Sequence, residues 1–285
     1  MPEFNTMDLV VADGVAVVTL NRPDQMNTFG AAMADDFFRL FDLTDADDDV
    51  RAVIVTGSGR AFCAGADLGN KGATFDYQKR GEETQGHRDR GGRVTLRIFE
   101  SLKPVICAVN GAAVGIGATM QLAMDIRLAA TTARFGFVFA RRGITPEACS
   151  SWFLPRIVGI STALEWCYTG RVFDATEALE RGLVRSVHAP EDLLPAAQAI
   201  AREIADNAAP VSVAMIRQMM WRLSAADHPM EAHRIDSPAI VARGRADDAR
   251  EGIAAFLERR PASFPDRVSS DMPEIFPWWP ERPFN

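Results

Sequence analysis

Two glycine-rich turns in this chain each follow a short apolar run, and both are placed to present backbone N–H groups to a ligand. The first spans residues 57–68 and the second spans residues 111–117. The first amides of a helix have no partner within it, and the helix N-terminus carries partial positive charge. Two such amides aimed at one point stabilise an oxygen that gains negative charge during a reaction. The alternative is that both are ordinary turns of an α/β domain.

The spacing of these glycines argues against several other motifs. Gly111, Gly115 and Gly117 do not form the GxGxxG pattern of dinucleotide-binding folds, and no GK[ST] follows as in a Walker loop. The flanking pattern of a GxSxG nucleophile elbow is absent around Ser58. The cysteines and histidines are scattered and show no metal-ligand spacing, so we expect reduced thiols and no metal site.

The elements that position the two turns follow from the hydrophobic pattern. Apolar runs predict strands at 14–20, 51–57 and 104–109, and helical spacing of apolar residues predicts an amphipathic helix at 30–43. The small residues that follow Val109 predict a buried helix directly after the second turn.

Later segments give further predictions. An initial aspartate, with Gly182 just past the end, marks a short helix at 174–181, and 183–187 is predicted to be a short strand. Residues 70–93 are polar, glycine-rich and weakly periodic, which predicts a mobile surface segment or short helix able to cover a site. From residue 191 strand signals end and helical segments follow, so this region packs on its own core or serves assembly.

Composition narrows the class of protein. The chain has 285 residues, is 47% hydrophobic and carries a net charge of −7. An acidic chain without a long apolar run is not expected to bind nucleic acid or a membrane. Residues 1–13 hold acids and lack the basic start of a signal peptide, so we expect a cytoplasmic protein.

Several motifs together resemble the crotonase superfamily of enoyl-CoA hydratases and isomerases. They occur in the family's order between residues 8 and 264: NRP at 21–23, AFCAGADL at 61–68, KPVI at 103–106, NG at 110–111, GIG at 115–117, FG at 135–136 and AFLERRP at 255–261. The AFCAGADL segment combined with KPVI and NG is highly specific for this family.

The resemblance implies an α/β fold, a spiral of repeated ββα units with a C-terminal α-helical trimerisation region. We therefore expect a core with an acyl-CoA site at 1–190, a helical assembly region at 191–264, and a proline- and aromatic-rich tail at 265–285 that lies on the body or on a neighbouring subunit. The implied substrate is an acyl-CoA thioester, so coenzyme A arrives with the substrate and no separate cofactor is expected. The implied assembly is a homotrimer or a hexamer built as a dimer of trimers.

Site residues are also implied by the resemblance. The two oxyanion-stabilising amides would be those of Ala66 and Ile116, and the isoleucine, which replaces the family's usual glycine, must point its side chain away. Arg22 is either a phosphate contact or a surface arginine at a turn. The positions implied to contact coenzyme A are the carbonyls near Cys63, Ala64 and Ala66 and the segment of Gln25 and Met26.

The chain departs from the family at the acid–base positions. Hydratases of the family use two glutamates, and here Thr119 and Phe139 stand at those positions. Threonine can hold a water but is no general base near pH 7. Glu147 lies in the segment PEACSS, which resembles the PEGCSS-type segment of the peroxisomal branch of Δ3,Δ2-enoyl-CoA isomerases, whose glutamate is the single base. The alternative is a first-turn acid of the helix predicted from Ser150.

Three functions therefore remain open. The first is double-bond isomerisation with Glu147 as base, its pKa raised by apolar walls from Phe139, Trp152 and Phe153. The second is hydration of an enoyl-CoA by Glu147 and an ordered water. The third, of another class, is a catalytically weak acyl-CoA-binding protein.

Overall fold

Two β-sheets organise the molecule. The computed structural model describes residues 3–69, 74–79, 81 and 86–284. Within these residues the strands are β1 (Met7–Ala12), β2 (Val15–Leu20), β3 (Ala52–Gly57), β4 (Ala61–Cys63), β5 (Val105–Val109), β6 (Ala112–Val114), β7 (Ile126–Ala130), β8 (Arg134–Gly136), β9 (Val172–Asp174) and β10 (Ser186–His188). One sheet has the order β1-β2-β3-β5-β7-β10 and the other has the order β4-β6-β8-β9. The strands from β2 to β10 in the larger sheet are parallel.

Helices follow the strands in a regular way. The α-helices within the described residues are α1 (Ala31–Ala46), α2 (Arg90–Glu100), α3 (Ile116–Thr119), α4 (Ser150–Val158), α5 (Ile160–Thr169), α6 (Ala175–Glu180), α7 (Pro190–Asn207), α8 (Pro210–Leu223), α9 (Pro229–Gly244) and α10 (Asp247–Glu258). Three successive units, β3-β4-α2, β5-β6-α3 and β7-β8-α4, each place a long strand in the large sheet and a short strand in the small one. This repetition confirms the predicted α/β fold of ββα units.

The core has two parts, one on each face of the large sheet. Successive side chains of a strand point to opposite faces. On β3, Val53 and Val55 therefore pack in the cluster that contains Phe37 of α1, and Ile54 packs in the cluster that contains Leu193 of α7. All five side chains are at most 2% exposed, and burying such a side chain contributes roughly 1.5–3 kcal/mol.

The strands predicted at 14–20, 51–57 and 104–109 are confirmed as β2, β3 and β5. The helix predicted at 30–43 is confirmed as α1, which ends later, at Ala46. The strands were predictable as short apolar runs, and the helix was predictable because its apolar residues recur at helical spacing.

The helix predicted directly after the second turn is present as α3, but it takes up only part of the small-residue run that follows Val109. The strand β6 intervenes, and α3 is a single turn followed by a 3-10 turn at Met120–Ala123. Gly115 sets the start of α3, because its φ of +56° and ψ of −124° lie outside the helical region and no helix can run through it. This backbone bend turns the N-terminus of α3 toward the first glycine-rich turn.

The strand predicted at 183–187 is displaced toward the C-terminus, since β10 begins at residue 186. Leu183 and Val184 are buried, as the apolar pattern requires. Their amides both donate to the carbonyl of Ala178, at 2.8 and 3.3 Å, and close the turn after α6. An apolar pair can thus belong to the core without belonging to a strand.

The helix predicted at 174–181 is confirmed as α6. Asp174 caps it, accepting a hydrogen bond from the Glu177 N–H at 3.0 Å. The helix α5 was not predicted; Gly159, at φ +79°, ends α4 and starts α5 directly.

The helices α7 to α10 follow β10, and a buried arginine fastens α8 to the core. The Arg217 guanidinium donates to the Asp125 carboxylate at 2.9 Å and to the carbonyls of Phe99 and Ser101 at 2.8 and 2.6 Å. Asp125 also accepts from the Val105 N–H at 2.8 Å, at the start of β5. Asp125 therefore has a structural role, because it joins the start of β5 to α8.

The tail after α10 packs on the same molecule over part of its length. The Arg222 guanidinium lies 3.4 Å from the centre of the Trp279 ring, and the Arg88 guanidinium lies 5.1 Å from that of Phe284.

The covering segment predicted at 70–93 falls partly on residues outside those described, and its C-terminal part begins α2. No helix among the described residues is long and apolar enough to span a membrane.

Candidate active site

The two glycine-rich turns pack against each other, backbone to backbone. Gly65 has a φ of +112°, and a Cβ on Gly115 would lie 3.8 Å from its Cα. A Cβ on Gly117 would lie 1.9 Å from the carbonyl oxygen of Cys63, a distance that no side chain tolerates. Glycine at these positions therefore allows α3 to start directly beside the turn that follows β4.

Two amides at this junction are free. Phe29 fixes the residues on both sides of Ala66 through backbone hydrogen bonds of 2.8 and 3.0 Å, and the Gly115 N–H donates to the carbonyl of Gly136 at 2.9 Å. Within the described part of the chain, the N–H groups of Ala66 and Ile116 donate to no other protein atom. Since buried amides are normally paired, two unpaired amides on touching turns are available to a ligand oxygen.

A carboxylate lies against the same short helix. The Thr119 hydroxyl, on the last residue of α3, donates to Glu147 Oε1 at 2.6 Å. The same hydroxyl oxygen lies 3.4 Å from the carbonyl of Ile116. The structure thus brings Glu147 and Thr119 together beside the helix whose first amide is free.

The side chain of Ile116 meets this carboxylate on the surface of α2. A Cβ on Gly91 would lie 2.2 Å from Glu147 Oε2 and 2.7 Å from Ile116 Cδ1, so both atoms occupy the space above this glycine. Ile116 is 5% exposed. Its side chain packs inward on α2 and adds an apolar neighbour to the carboxylate.

Two adjacent glycines of α2 make room for two carboxylates. A Cβ on Gly91 would strike Glu147, and a Cβ on Gly92 would lie 2.2 Å from Asp89 Oδ1. Neither glycine has a positive φ, so the requirement is for space and not for an unusual backbone. Each glycine in a helix costs about 1 kcal/mol relative to alanine. The sequence showed this pair only as part of a glycine-rich polar segment, and its contact with Glu147 is invisible without the fold.

The surroundings make Glu147 a suitable proton acceptor. Burial raises the pKa of its carboxyl to about 7, the Thr119 hydrogen bond opposes this rise, and the charge of Asp89 adds to it. The neighbouring thiols stay neutral, because burial raises the pKa of Cys63 to about 12 and also raises the pKa of Cys149. A carboxyl with a pKa near neutrality can both accept and return a proton at pH 7.

Asp89 is a polar neighbour of this site that the sequence did not single out. Its two oxygens accept from the Gly92 N–H at 2.9 Å, which caps α2, and one of them accepts from the Ala148 N–H at 3.2 Å. Asp89 and Ala148 are 59 residues apart, so no local pattern could reveal the contact.

The segment proposed to lie along the substrate is joined to the first turn. The carbonyl of Met26 accepts a hydrogen bond from the Ala64 N–H at 3.0 Å. The sulfur of Met26 accepts one from Arg60 Nε at 2.8 Å. The Arg22 guanidinium donates to the side chain of Gln25. Gln25, Met26 and Ala64 therefore adjoin one another beside Ala66, whereas Cys63 is fully buried beneath them.

Phe139 lies at the start of the turn before Glu147. It is 3% exposed and belongs to the main hydrophobic cluster, together with Phe153. Trp152 is partly exposed and packs edge-on against Phe153, with ring centres 4.6 Å apart. Among the described residues no three metal-ligating side chains gather at one point.

The chain matches known proteins over most of its length. The family model described as enoyl-CoA hydratase/isomerase matches residues 11–267. The chain is 40% identical over 258 residues to enoyl-CoA hydratase AFT3-1 of Alternaria alternata, covering 90% of this chain and 85% of that protein. It is 33% identical over 267 residues to 1,2-epoxyphenylacetyl-CoA isomerase of Escherichia coli K12, covering 89% of this chain and 96% of that protein.

Solved structures agree with this match. A probable enoyl-CoA hydratase/isomerase from Mycobacterium abscessus is 32% identical with a TM-score of 0.82, covering 92% of this chain and 99% of that chain. The matched region contains both glycine-rich turns, α2 and Glu147. The chain is therefore a member of the enoyl-CoA hydratase/isomerase family, within the crotonase superfamily.

Proposed function

We propose that this family enzyme moves the double bond of an enoyl-CoA thioester, with Glu147 as the single base and the amides of Ala66 and Ile116 as oxyanion donors. One observation carries the proposal. The hydrogen bond of 2.6 Å from Thr119 places the Glu147 carboxylate beside α3, whose first amide is unpaired. The two glutamates that hydratases of the family use are absent, because Thr119 and Phe139 occupy their positions.

The reaction needs one proton to leave one carbon and arrive at another. The Glu147 carboxylate takes a proton from C2 of a 3-enoyl-CoA, and the electron pair of that C–H bond moves toward the thioester oxygen. The two amides stabilise the resulting dienolate. One such donor typically contributes roughly 3–4 kcal/mol of transition-state stabilisation. The protonated Glu147 then returns the proton to C4, and the electrons shift back to form the C2–C3 double bond. A 2-enoyl-CoA leaves, and the enzyme is unchanged.

Thr119 suits both protonation states of the base. Its hydroxyl donates to the ionised carboxylate. When Glu147 holds the proton, the carboxylic acid donates to the Thr119 oxygen, and the hydroxyl turns to the carbonyl of Gly115 or Ile116, at 3.3 and 3.4 Å. A hydroxyl that both donates and accepts can follow the proton in this way.

The resemblance to the peroxisomal isomerase branch, carried by the PEACSS segment, supports this assignment. In the same proposal the carbonyls near Cys63, Ala64 and Ala66 bind the adenine, the segment of Gln25 and Met26 lies along the coenzyme A, and Phe139 and Thr119 line the acyl side. Arg22 is proposed as a phosphate contact that would exchange its bond to Gln25 for one to the ligand. These roles rest on motif positions, and the hydrogen bond of 3.0 Å from the Ala64 N–H to the Met26 carbonyl, which joins the two segments, supports them.

Hydration of a 2-enoyl-CoA is the second candidate. The relative AFT3-1 is named an enoyl-CoA hydratase. A water held between the Glu147 carboxylate and the Thr119 hydroxyl could be deprotonated by Glu147 and attack C3. This route needs a proton donor for C2, and Glu147 would have to supply the proton that it had just removed.

The deciding experiment compares products. Wild type and Glu147→Gln are incubated with a 3-enoyl-CoA and with a 2-enoyl-CoA of the same chain length, and the products are separated by chromatography. We expect wild type to form 2-enoyl-CoA from the first substrate, and Glu147→Gln to lose this activity by at least about 10³-fold, because the single base is gone. Glu180→Gln, an exposed glutamate at the end of α6, is the matched control and should keep full activity.

Three outcomes separate the functions. Isomerisation that survives in Glu147→Gln refutes the proposed base. Fast formation of 3-hydroxyacyl-CoA by wild type, with slow isomerisation, selects the hydratase. Binding of both thioesters without turnover selects the weak acyl-CoA-binding protein.

We also propose that the chain assembles as a homotrimer or as a hexamer of two trimers. Large apolar side chains stand exposed along the C-terminal helices, at 71–82% of their surface: Met220, Ile240, Phe256 and Leu257. These residues lie on α8, α9 and α10, which contact one another in sequence order, and exposed apolar side chains gathered on adjoining helices favour a protein interface. Light scattering coupled to size-exclusion chromatography tests it, and a monomer at micromolar concentration would refute it.

A further inference from the structure

We propose that Asp89 is a positioning residue, which holds the Glu147 carboxylate in place by bracing the backbone of Ala148 against the N-terminus of α2. This inference rests on the proposed role of Glu147 as the base. The main observation is that one side chain joins two parts of the fold. Asp89 caps α2 and also accepts a hydrogen bond from the N–H of Ala148, the residue next to Glu147.

The brace is needed because the backbone after Glu147 is strained. Ala148 and Cys149 both have a positive φ, of +55° and +54°. The left-handed region costs a residue other than glycine roughly 1–2 kcal/mol, so two in succession persist only when neighbouring contacts fix them. The hydrogen bond from the Ala148 N–H to Asp89 Oδ2, at 3.2 Å, is such a contact.

The geometry also shows what depends on the brace. The Glu147 carboxylate fits into the space above Gly91, with Oε2 only 2.2 Å from the position of an added Cβ. A small rotation about the backbone of residues 147–149 would move Oε2 out of this space and would move Oε1 away from the Thr119 hydroxyl. Since displacement of a catalytic group by about 1 Å can cost on the order of 10²-fold in rate, the anchor of this backbone matters for turnover.

Asp89 acts through its neighbours and not as a second acid. Both of its oxygens already accept hydrogen bonds from backbone amides, so it is held as an acceptor. It also carries the one negative charge that acts on Glu147 among the described residues, and this charge raises the pKa of the Glu147 carboxyl. The other titratable groups coupled to Glu147 are the thiols of Cys63 and Cys149, whose pKa values are raised, so they are neutral at pH 7.

Two substitutions separate the brace from the helix cap. Serine and asparagine cap helices about as well as aspartate. Asp89→Ser can still reach the Gly92 N–H but is too short for Ala148, and Asp89→Asn keeps one acceptor oxygen without the charge. Asp174→Ser, at the equivalent cap of α6, is the matched control for loss of a capping carboxylate away from the site.

The readouts are kcat, KM and the pH profile of kcat/KM for 3-enoyl-CoA isomerisation, with thermal unfolding as a check on the fold. We expect Asp89→Ser to lower kcat by about 10- to 100-fold with KM nearly unchanged. In Asp89→Asn the acidic limb of the profile should move to lower pH, because removal of a nearby negative charge favours the ionised carboxylate. Asp174→Ser should change neither quantity.

The outcomes distinguish this inference from the proposed function. If both Asp89 variants keep the kcat and the pH profile of wild type while Glu147→Gln is inactive, the brace is refuted and the base stands. If Glu147→Gln is active, the proposed function itself fails. A loss of kcat in Asp89→Ser that Asp174→Ser reproduces would assign the effect to helix capping and would also overturn the proposal.

Discussion

Replacing Glu147 by glutamine should make the protein more stable above pH 7 while abolishing its activity. The pKa of this carboxyl is about 7 in the folded chain, against 4.5 for an ordinary glutamate. One pKa unit corresponds to about 1.4 kcal/mol. The ionised form therefore lowers the free energy of unfolding by up to roughly 3 kcal/mol, because its burial in an apolar pocket outweighs the Thr119 hydrogen bond.

The sign of the pH dependence follows from proton binding. The folded chain keeps the Glu147 proton to a higher pH than the unfolded chain does, so the contribution of Glu147 to stability is full below about pH 4.5. It falls as the pH rises and is lost above about pH 7. Glutamine is neutral throughout, so Glu147→Gln should match wild type near pH 5 and exceed it at pH 8.

The expected gain at pH 8 is about 1–2 kcal/mol, since glutamine still has to satisfy its amide group in the same pocket. In a chain of this size that corresponds to a rise in Tm of about 2–8 °C. The assay is thermal and urea unfolding at pH 5 and pH 8 at one fixed protein concentration, because assembly also contributes to stability. Equal pH dependence in wild type and Glu147→Gln, or a variant less stable than wild type at pH 8, would refute the argument from burial. Glu180→Gln serves as the exposed control.

Two further substitutions test the packing around the carboxylate. Gly91→Ala should lower kcat by on the order of 10²-fold, because the added Cβ would lie 2.2 Å from Glu147 Oε2 and must displace that oxygen. Gly244→Ala is the control, since a Cβ there meets nothing within 4 Å. Equal rates in the two variants would contradict the close contact at Gly91. Thr119→Val should raise the pKa of Glu147, because the Thr119 hydroxyl stabilises the ionised carboxylate. The acidic limb of the kcat/KM profile, measured by initial rates between pH 5 and pH 9, should therefore move to higher pH. An unchanged or acid-shifted limb would show that the 2.6 Å hydrogen bond does not stabilise the ionised form.

The sequence was sufficient for those parts of the fold that depend on local periodicity and on glycine. The strands β2, β3 and β5 were predictable because they are short apolar runs with a buried environment on both faces. The turns around Gly65 and Gly115 were recognisable because only glycine allows their backbones to meet. The resemblance to the crotonase superfamily also showed that Thr119 stands where a hydratase of the family has a glutamate.

The rest of the site depends on contacts between distant parts of the chain. Glu147 and Thr119 are 28 residues apart, and Asp89 and Ala148 are 59 apart. No periodicity relates such pairs. The pair of glycines at the start of α2 lay in a segment of weak pattern, and only the folded chain shows that Gly91 leaves space for a carboxylate. The strand β6 was missed because small residues fit a strand and a helix equally well.

The central claim, that one carboxyl carries the proton between two carbons, is tested most directly by isotope transfer. Wild-type enzyme in ordinary water is given a 3-enoyl-CoA deuterated at C2, and the 2-enoyl-CoA formed in a single turnover is analysed by mass spectrometry and NMR. If Glu147 takes the deuteron from C2 and returns it, part of the product carries deuterium at C4. If every C4 proton comes from water, with no deuterium transferred at any stage of the turnover, the single-base account is contradicted.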